Sequence, residues 1–288
     1  MASSTPAPPD YKEIATRLKE GMIVPFFGAG ASRHCGLPSG GELAERLMAA
    51  SSFPAGERRR DLALAASYFT KGRDDISLKR ELRAVLNIGE ARPGSLHQCL
   101  ADSKLSELRL YVTTNYDDLI EQALVPRAPW VVVDRGERGK VHCRPPGGEW
   151  QEVVPDDLRR TITDKARPIV LKLHGSMDRD DRANDHFLIT EEQYVDFLGR
   201  SREALIPSML YNTMKARSFL FLGYGLRDWN VRVLLRHLAD SRGPASTIDS
   251  WAVVRHPAPA EQALWEMRKV TMLDVDLDEF VLGLQEHL

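Results

Sequence analysis

The strongest constraint on how this chain can fold is a pattern that recurs along it: a short apolar run, then small or polar residues, then a stretch long enough for a helix. The apolar runs fall at residues 22–27 (MIVPFF), 108–113 (LRLYVT), 131–133 (VVV), 169–173 (IVLKL), 219–222 (FLFL) and 251–254 (WAVV). Helix-length segments lie between several of them, at 117–125, 191–198, 203–217 and 229–240, and residues 270–288 read as a last strand with a closing helix. Strands too short and too apolar to have one wet face, alternating with helices, predict an α/β fold: a Rossmann-like, mostly parallel sheet with helices on both faces. Pro25 weakens the first strand, because proline cannot donate to a ladder.

The remaining segments fit around that sheet. Residues 1–10 read as a flexible N-terminus and 11–288 as one domain, opening with a short amphipathic helix that carries Ile14 and Leu18. A second helix is expected over 41–50. Residues 57–90 show helical but no strand spacing (Leu62, Ala65, Ala66, Phe69, then Leu78, Leu82, Val85, Leu86), which predicts a helical subdomain. A further helix is expected over 94–105. Residues 134–165 are rich in charge, Gly and Pro and read as an insertion, which could be a hairpin, a surface insertion or a partner-binding loop. This segment and the helical subdomain are the candidate interfaces.

Composition removes several classes of function. The net charge of −2 gives no support to direct nucleic-acid binding, and the run Arg58-Arg59-Arg60 reads as a solvated face. The three cysteines, Cys35, Cys99 and Cys143, form no Cys-x-x-Cys pair, so neither a disulfide scaffold nor a zinc module is expected, and no metal. The first residues lack an apolar signal core, and no apolar run is long enough for a membrane helix, so a cytoplasmic protein with no membrane association is expected.

Four polar segments follow apolar runs, where parallel sheets bind ligands. The first is Gly28-Ala29-Gly30-Ala31-Ser32 with Arg33 after it. Its glycines would let backbone approach a dinucleotide phosphate; equally, a tight turn needs small residues. The spacing is not the G-x-G-x-x-G fingerprint, since Arg33 stands at its third glycine. Arg33 fits either a phosphate or carboxylate partner or a surface ion pair.

The second is Thr113-Thr114-Asn115-Tyr116-Asp117-Asp118, whose polar groups suit a ribose, a water or an amide, or the opening of a helix. The third is His174-Gly175-Ser176, where an imidazole could accept a proton or simply satisfy a carbonyl. The fourth is Gly223-Tyr224-Gly225-Leu226-Arg227-Asp228, in which small residues could embrace the other part of a dinucleotide and Asp228 could cap the next helix. There is no Gly-x-Ser-x-Gly elbow and no phosphate-binding loop with a Lys-Ser/Thr pair, which removes the commonest hydrolase and ATPase readings.

In this order the segments resemble the sirtuin family, and more narrowly the sirtuin-like domains of bacterial antiviral defence. GAGAS is similar to the family's first nucleotide loop, TTNYD to its Gln-Asn-Ile-Asp segment, KLHGS to its catalytic-histidine motif, and GYGLRD to its later nucleotide loop. RPGSLHQCLA resembles the helix before the Asn-containing strand. The resemblance implies Asn115, His174 and Asp117 as catalytic. It implies Gly28, Ala29, Gly30, Ser32, Arg33, Thr114, Gly175, Gly223, Gly225 and Asp228 as NAD-binding.

Two departures bear on the substrate. The four zinc cysteines of the deacylases are missing, and Thr114 and Tyr116 stand where those enzymes carry Gln and Ile. Both weaken the case for an acyl-lysine peptide substrate, and the resemblance to the defence-associated domains implies hydrolysis of NAD to nicotinamide and ADP-ribose, or its cyclising transfer, instead. The alternatives are a protein deacylase or ADP-ribosyltransferase, and a non-catalytic NAD or ADP-ribose sensor. By the same analogy a homo-oligomer is expected, switched on by a partner: a HerA-like motor ATPase first, an Argonaute-like protein second.

Overall fold

The computed structural model describes residues 9–54, 60–135, 139–199, 206–225, 229–243 and 246–288. Eleven strands are present among them. Seven form a parallel array: β1 (Ile23–Phe27), β2 (Leu110–Thr113), β3 (Trp130–Val133), β6 (Ile169–Lys172), β9 (Ser218–Leu222), β10 (Ser250–Val253) and β11 (Val270–Leu273). Two antiparallel strands, β4 (Val141–Arg144) and β5 (Gln151–Val153), extend that array beyond β3. The order is β11-β10-β9-β1-β2-β6-β3-β4-β5. The segment read as an insertion thus supplies one edge of the sheet. The two remaining strands, β7 (Gly175–Ser176) and β8 (His186–Phe187), form a short separate ladder.

Alternation along each strand divides the apolar residues between two layers. Val24 and Phe26 of β1, with Phe219 and Phe221 of β9, pack on α7 (Leu158–Thr161), α9 (Ser208–Lys215), α10 (Trp229–Arg242) and α11 (Pro259–Glu266). Ile23 and Phe27, with Leu220 and Leu222, pack on α1 (Tyr11–Lys19), α5 (Ser95–Ala101), α6 (Leu119–Ala123) and α12 (Leu277–Gln285). A sheet covered on both faces explains why its strands read as unbroken apolar runs. Pro25 is accommodated in a central strand. The β9 ladder runs the length of β1 from Ile23↔Ser218 to Phe27↔Leu222, but the β2 ladder holds only Phe26↔Val112 and Phe27↔Thr113. The proline precedes that second ladder.

The helices α2 (Gly40–Ala49), α3 (Leu62–Thr70) and α4 (Asp75–Leu86) share a third apolar cluster. It buries Leu47, Ala65, Phe69 and Leu82 against Tyr116, Met177 and Phe187 from the sheet's loops. Their ends are specified locally. Ser39 and Glu42 form a capping box on α2, Asp61 and Asp74 cap α3 and α4, and Asn87 ends α4 in the left-handed region at φ 36°. α8 (Glu191–Leu198) starts on a capping box of Thr190 and Gln193. It also ties back to α3, where the Ser67 hydroxyl donates to Glu192 and accepts from the Glu191 N–H.

Candidate active site

The chain order reverses about β1, which has β9 on one side and β2 on the other. A reversal of this kind opens a crevice at the carboxyl ends of the strands, because the connections leave in opposite directions. A cavity of about 960 Å³ lies there. The loops after β1, β2, β6 and β9 all reach it, contributing Gly30, Ser32 and Arg33, Thr114, Asn115 and Asp117, His174, and Gly223 and Gly225.

The loops after β1 and β9 are packed against each other, backbone to backbone. Gly30 N–H donates to the Gly223 carbonyl at 2.8 Å, and Gly28 N–H to the Leu222 carbonyl at 3.0 Å. A Cβ on Gly30 would lie 2.7 Å from the Gly223 oxygen, and one on Gly28 would lie 2.6 Å from the Tyr224 ring. Gly223 itself has φ +61°, and a Cβ there would meet the Ala31 nitrogen at 2.0 Å. The glycines expected to admit a phosphate therefore also serve a structural end: they let two loops touch where side chains would hold them apart.

Three side chains are joined beneath the cavity. Asn115 Nδ2 donates to the Gly28 carbonyl at 3.0 Å and to Ser32 Oγ at 3.1 Å. Ser32 Oγ donates to Asp117 Oδ2 at 2.8 Å. The other carboxylate oxygen, Oδ1, accepts the Leu119 N–H at 3.1 Å. Thr113 orients the turn, its hydroxyl donating to the Phe27 carbonyl and accepting the Asn115 N–H. All three side chains are buried, so burial without these bonds would be costly. Asn115 and Asp117 are thus held on one side by the loop after β1, from more than 80 residues away in the chain.

His174 is buried two residues past the end of β6. The rings of Tyr194 and Phe197 from α8 stand edge-on to its imidazole, with centroids at 5.5 and 6.2 Å. Its carbonyl accepts the Leu188 N–H. α8 therefore reaches from the helical layer to the histidine, and its Glu191, Tyr194, Val195 and Leu198 form part of the cavity wall.

Two charged groups at or near the site are paired. Arg33 meets Glu42 at 3.2 Å with its side chain 55% exposed, so it combines a surface ion pair with a place on the cavity wall. Asp118 receives two hydrogen bonds from Arg179, at 3.0 and 2.8 Å. Burial pushes its carboxyl upward, but the Arg179 and Gln122 hydrogen bonds and the nearby cations outweigh this and hold it below the usual carboxylate range. His97, buried and stacked on Phe27 at 5.8 Å, is driven toward its neutral form by desolvation. Burial likewise pushes the Cys35 thiol up.

Of the residues singled out from sequence, Ala29, Gly30, Ser32, Arg33, Thr114, Asn115, Asp117, His174, Gly223 and Gly225 line this one cavity. Gly28 and Gly175 do not. Gly28 backs onto Tyr224, and Gly175, at φ +89°, fits against the His186 carbonyl where a Cβ would come within 2.2 Å. Asp228 lies outside the described residues. Sequence reasoning overlooked Tyr194, which lies on the wall with Tyr224 of the fourth segment, and Lys172 behind it. The available signal for Lys172 was a lone lysine inside an otherwise apolar strand. Among the described residues no group of three or more His, Cys, Asp or Glu could hold a metal ion, and no helix is long and apolar enough to cross a membrane.

Comparison with known proteins places this geometry in context. The SIR2-like domain family matches residues 109–273. The chain is similar to the NAD(+) hydrolase ThsA of Acinetobacter baumannii (strain 532279), with 27% identity over 226 residues, covering 78% of this chain and 41% of that protein. It is similar also to the NAD(+) hydrolase ThsA of Cytobacillus dafuensis, with 27% identity over 229 residues, covering 79% and 40%. The chain thus spans about two fifths of the length of these relatives. Among solved structures, a Sir2 homologue mutant in complex with ADP ribose matches 96% of each chain with a TM-score of 0.51 at 13% identity, a likeness of fold.

Proposed function

The chain belongs to the SIR2-like domain family, and from that premise we propose that it hydrolyses NAD to nicotinamide and ADP-ribose, as an effector of antiphage defence that depletes the dinucleotide. The observation that carries this reading is the Asn115–Ser32–Asp117 hydrogen-bonded chain, which shares one cavity with His174 and the two packed glycine loops. The activity for which the two ThsA relatives are named, NAD(+) hydrolysis, supports the same reaction.

In this reading the loops after β1 and β9 hold the pyrophosphate and adenosine half, with Arg33 at the phosphates. Asn115 and Asp117 receive the nicotinamide riboside half. The bond between ribose C1′ and the pyridinium nitrogen breaks, its electron pair neutralises the ring, and nicotinamide leaves. The Asp117 carboxylate favours the cation-like ribose, because a fixed negative charge in a water-poor site gains most where positive charge develops. A water oxygen bonds to C1′ and passes its proton to His174. Tyr194 and Phe197 stand against His174, which favours water over a bulky acceptor.

An unrestrained activity of this kind would be toxic. Control is accordingly assigned to assembly, with further copies of the chain or with a HerA-like motor ATPase. The test is product analysis by mass-resolved chromatography, with NAD alone and with NAD plus an acetyl-lysine peptide. Nicotinamide and ADP-ribose formed without peptide, and lost in folded His174→Ala and Asn115→Ala, are expected. Turnover that depends on peptide would overturn hydrolysis in favour of a deacylase, and unchanged turnover in both variants would remove the assigned roles.

A further inference from the structure

Lys172, the last residue of β6, is 1% exposed, in the middle of the sheet. Its Nζ donates to Glu121 Oε1 at 2.8 Å and to the main-chain carbonyl of Asp117. Glu121 is buried too, and its other oxygen, Oε2, meets no hydrogen-bond partner among the described residues. Neither Lys172 nor Glu121 lines the large cavity. A buried pair of opposite charges is a poor source of stability, since apolar residues of the same volume serve a core as well or better. Val170, two positions earlier on the same face of β6, shows what this layer otherwise uses.

The pair does something an apolar pair could not: it grips one carbonyl. That carbonyl belongs to Asp117, whose side chain is tied on its other flank to Ser32. Asp117 is therefore held at two points, its main chain from behind the cavity by Lys172 and its carboxylate from the front by Ser32 and the Leu119 N–H. A carboxylate that must face a developing charge loses effect with small displacements, so an anchor on its backbone is an anchor on the chemistry.

We propose that Lys172, braced by Glu121, is a positioning residue that sets Asp117 toward the nicotinamide riboside half of the substrate, without touching the substrate itself. This rests on the reading of the cavity as an NAD site and adds the residue that holds its geometry.

The test compares the full chain with Lys172→Met, Lys172→Arg and the double variant Lys172→Met/Glu121→Leu. The double variant replaces both charges, so it keeps a packed core even where Lys172→Met alone leaves a stranded carboxylate. Calorimetry measures affinity for NAD and for ADP-ribose, and steady-state assays give kcat and KM. ADP-ribose affinity is expected to stay within about twofold in the double variant, while kcat falls about tenfold or more and the affinity gained from the nicotinamide half is lost. Lys172→Arg, which retains a donor, is expected to recover part of both. A double variant with the wild-type kcat, or with the same NAD-to-ADP-ribose affinity ratio as wild type, would overturn the positioning role alone. Wild-type protein that binds neither ligand would overturn the reading of the cavity and the positioning role together. Wild-type protein that binds NAD without turning it over still reads the proposal through the affinity ratio.

Discussion

The hydroxyl of Ser32 donates to the carboxylate of Asp117 at 2.8 Å across 85 positions of sequence. The same oxygen accepts from Asn115 at 3.1 Å, so a single serine couples the loop after β1 to both polar residues of the loop after β2.

Ser32→Ala removes both bonds and leaves Asp117 Oδ2 without that donor. The expected cost in stability is about 1–2 kcal/mol. The expected loss in kcat for NAD cleavage is about ten- to hundredfold, since the variant misplaces two groups that act in the transition state. A thermal melt and a steady-state assay on one preparation check this; full activity with the lowered melting point would reduce Ser32 to a structural role.

Gly223 and Gly225 stand two residues apart in similar sequence but in different space. A Cβ on Gly223 would press on the Ala31 nitrogen in a backbone of φ +61°, whereas among the described residues nothing lies within 4 Å of one on Gly225. Gly223→Ala is expected to destabilise by about 2–4 kcal/mol or to prevent folding. Gly225→Ala is expected to leave stability within about 0.5 kcal/mol. Chemical denaturation of the two variants decides; equal effects would mean that the two loops are not in register as described.

Arg33 meets both Glu42 and the cavity. If it serves phosphate, Arg33→Ala weakens NAD binding about tenfold, with a shallower salt dependence, while Glu42→Ala does not weaken it. Neither change is expected to move stability by more than about 1 kcal/mol, because the ion pair is exposed. Titration calorimetry at two ionic strengths separates the roles, and equal weakening in both variants would count against direct phosphate contact.

The Asp118–Arg179 pair makes a statement about pH. The Asp118 carboxyl lies below its ordinary value in the folded chain. It therefore contributes stability that is fully present above the unfolded carboxylate pKa of about 4 and is lost as pH falls through the folded value. Arg179→Met is expected to cost about 1–3 kcal/mol at pH 7. The gap between wild type and variant is expected to narrow as pH drops below about 4. A gap that stays constant in acid would show that the pair is not the source.

Much of this molecule could be read from its residues. Strand-length apolar runs marked all seven parallel strands in some part, and the polar residues after four of them marked the loops that meet at the cavity. The helical spacing at 62–86 resolved into α3 and α4 around one cluster, but α2 joins them, a partnership that lies in three-dimensional packing alone. Strands β4 and β5 realise the hairpin that the charged, Gly- and Pro-rich segment allowed, but their bounds carried a weak pattern, because β4 alternates buried with half-buried residues and the edge strand β5 is largely exposed. Lys172 was passed over because a lysine in a strand says nothing of whether a carboxylate awaits it.

What the sequence determined by itself was local: which stretches are apolar enough to be strands, where Ser39, Asp61, Asp74 and Thr190 begin helices, and which short polar segments follow strands. These follow from short-range periodicity and capping chemistry, which operate within a few residues. Only the tertiary structure decided that Gly30 and Gly223 touch, that Ser32 bridges Asn115 and Asp117, and that Lys172 holds the Asp117 carbonyl. Those contacts join residues 55 to nearly 200 positions apart, and their existence depends on strand order. The order is set by how the whole chain buries its two apolar layers, a property that no window of sequence contains.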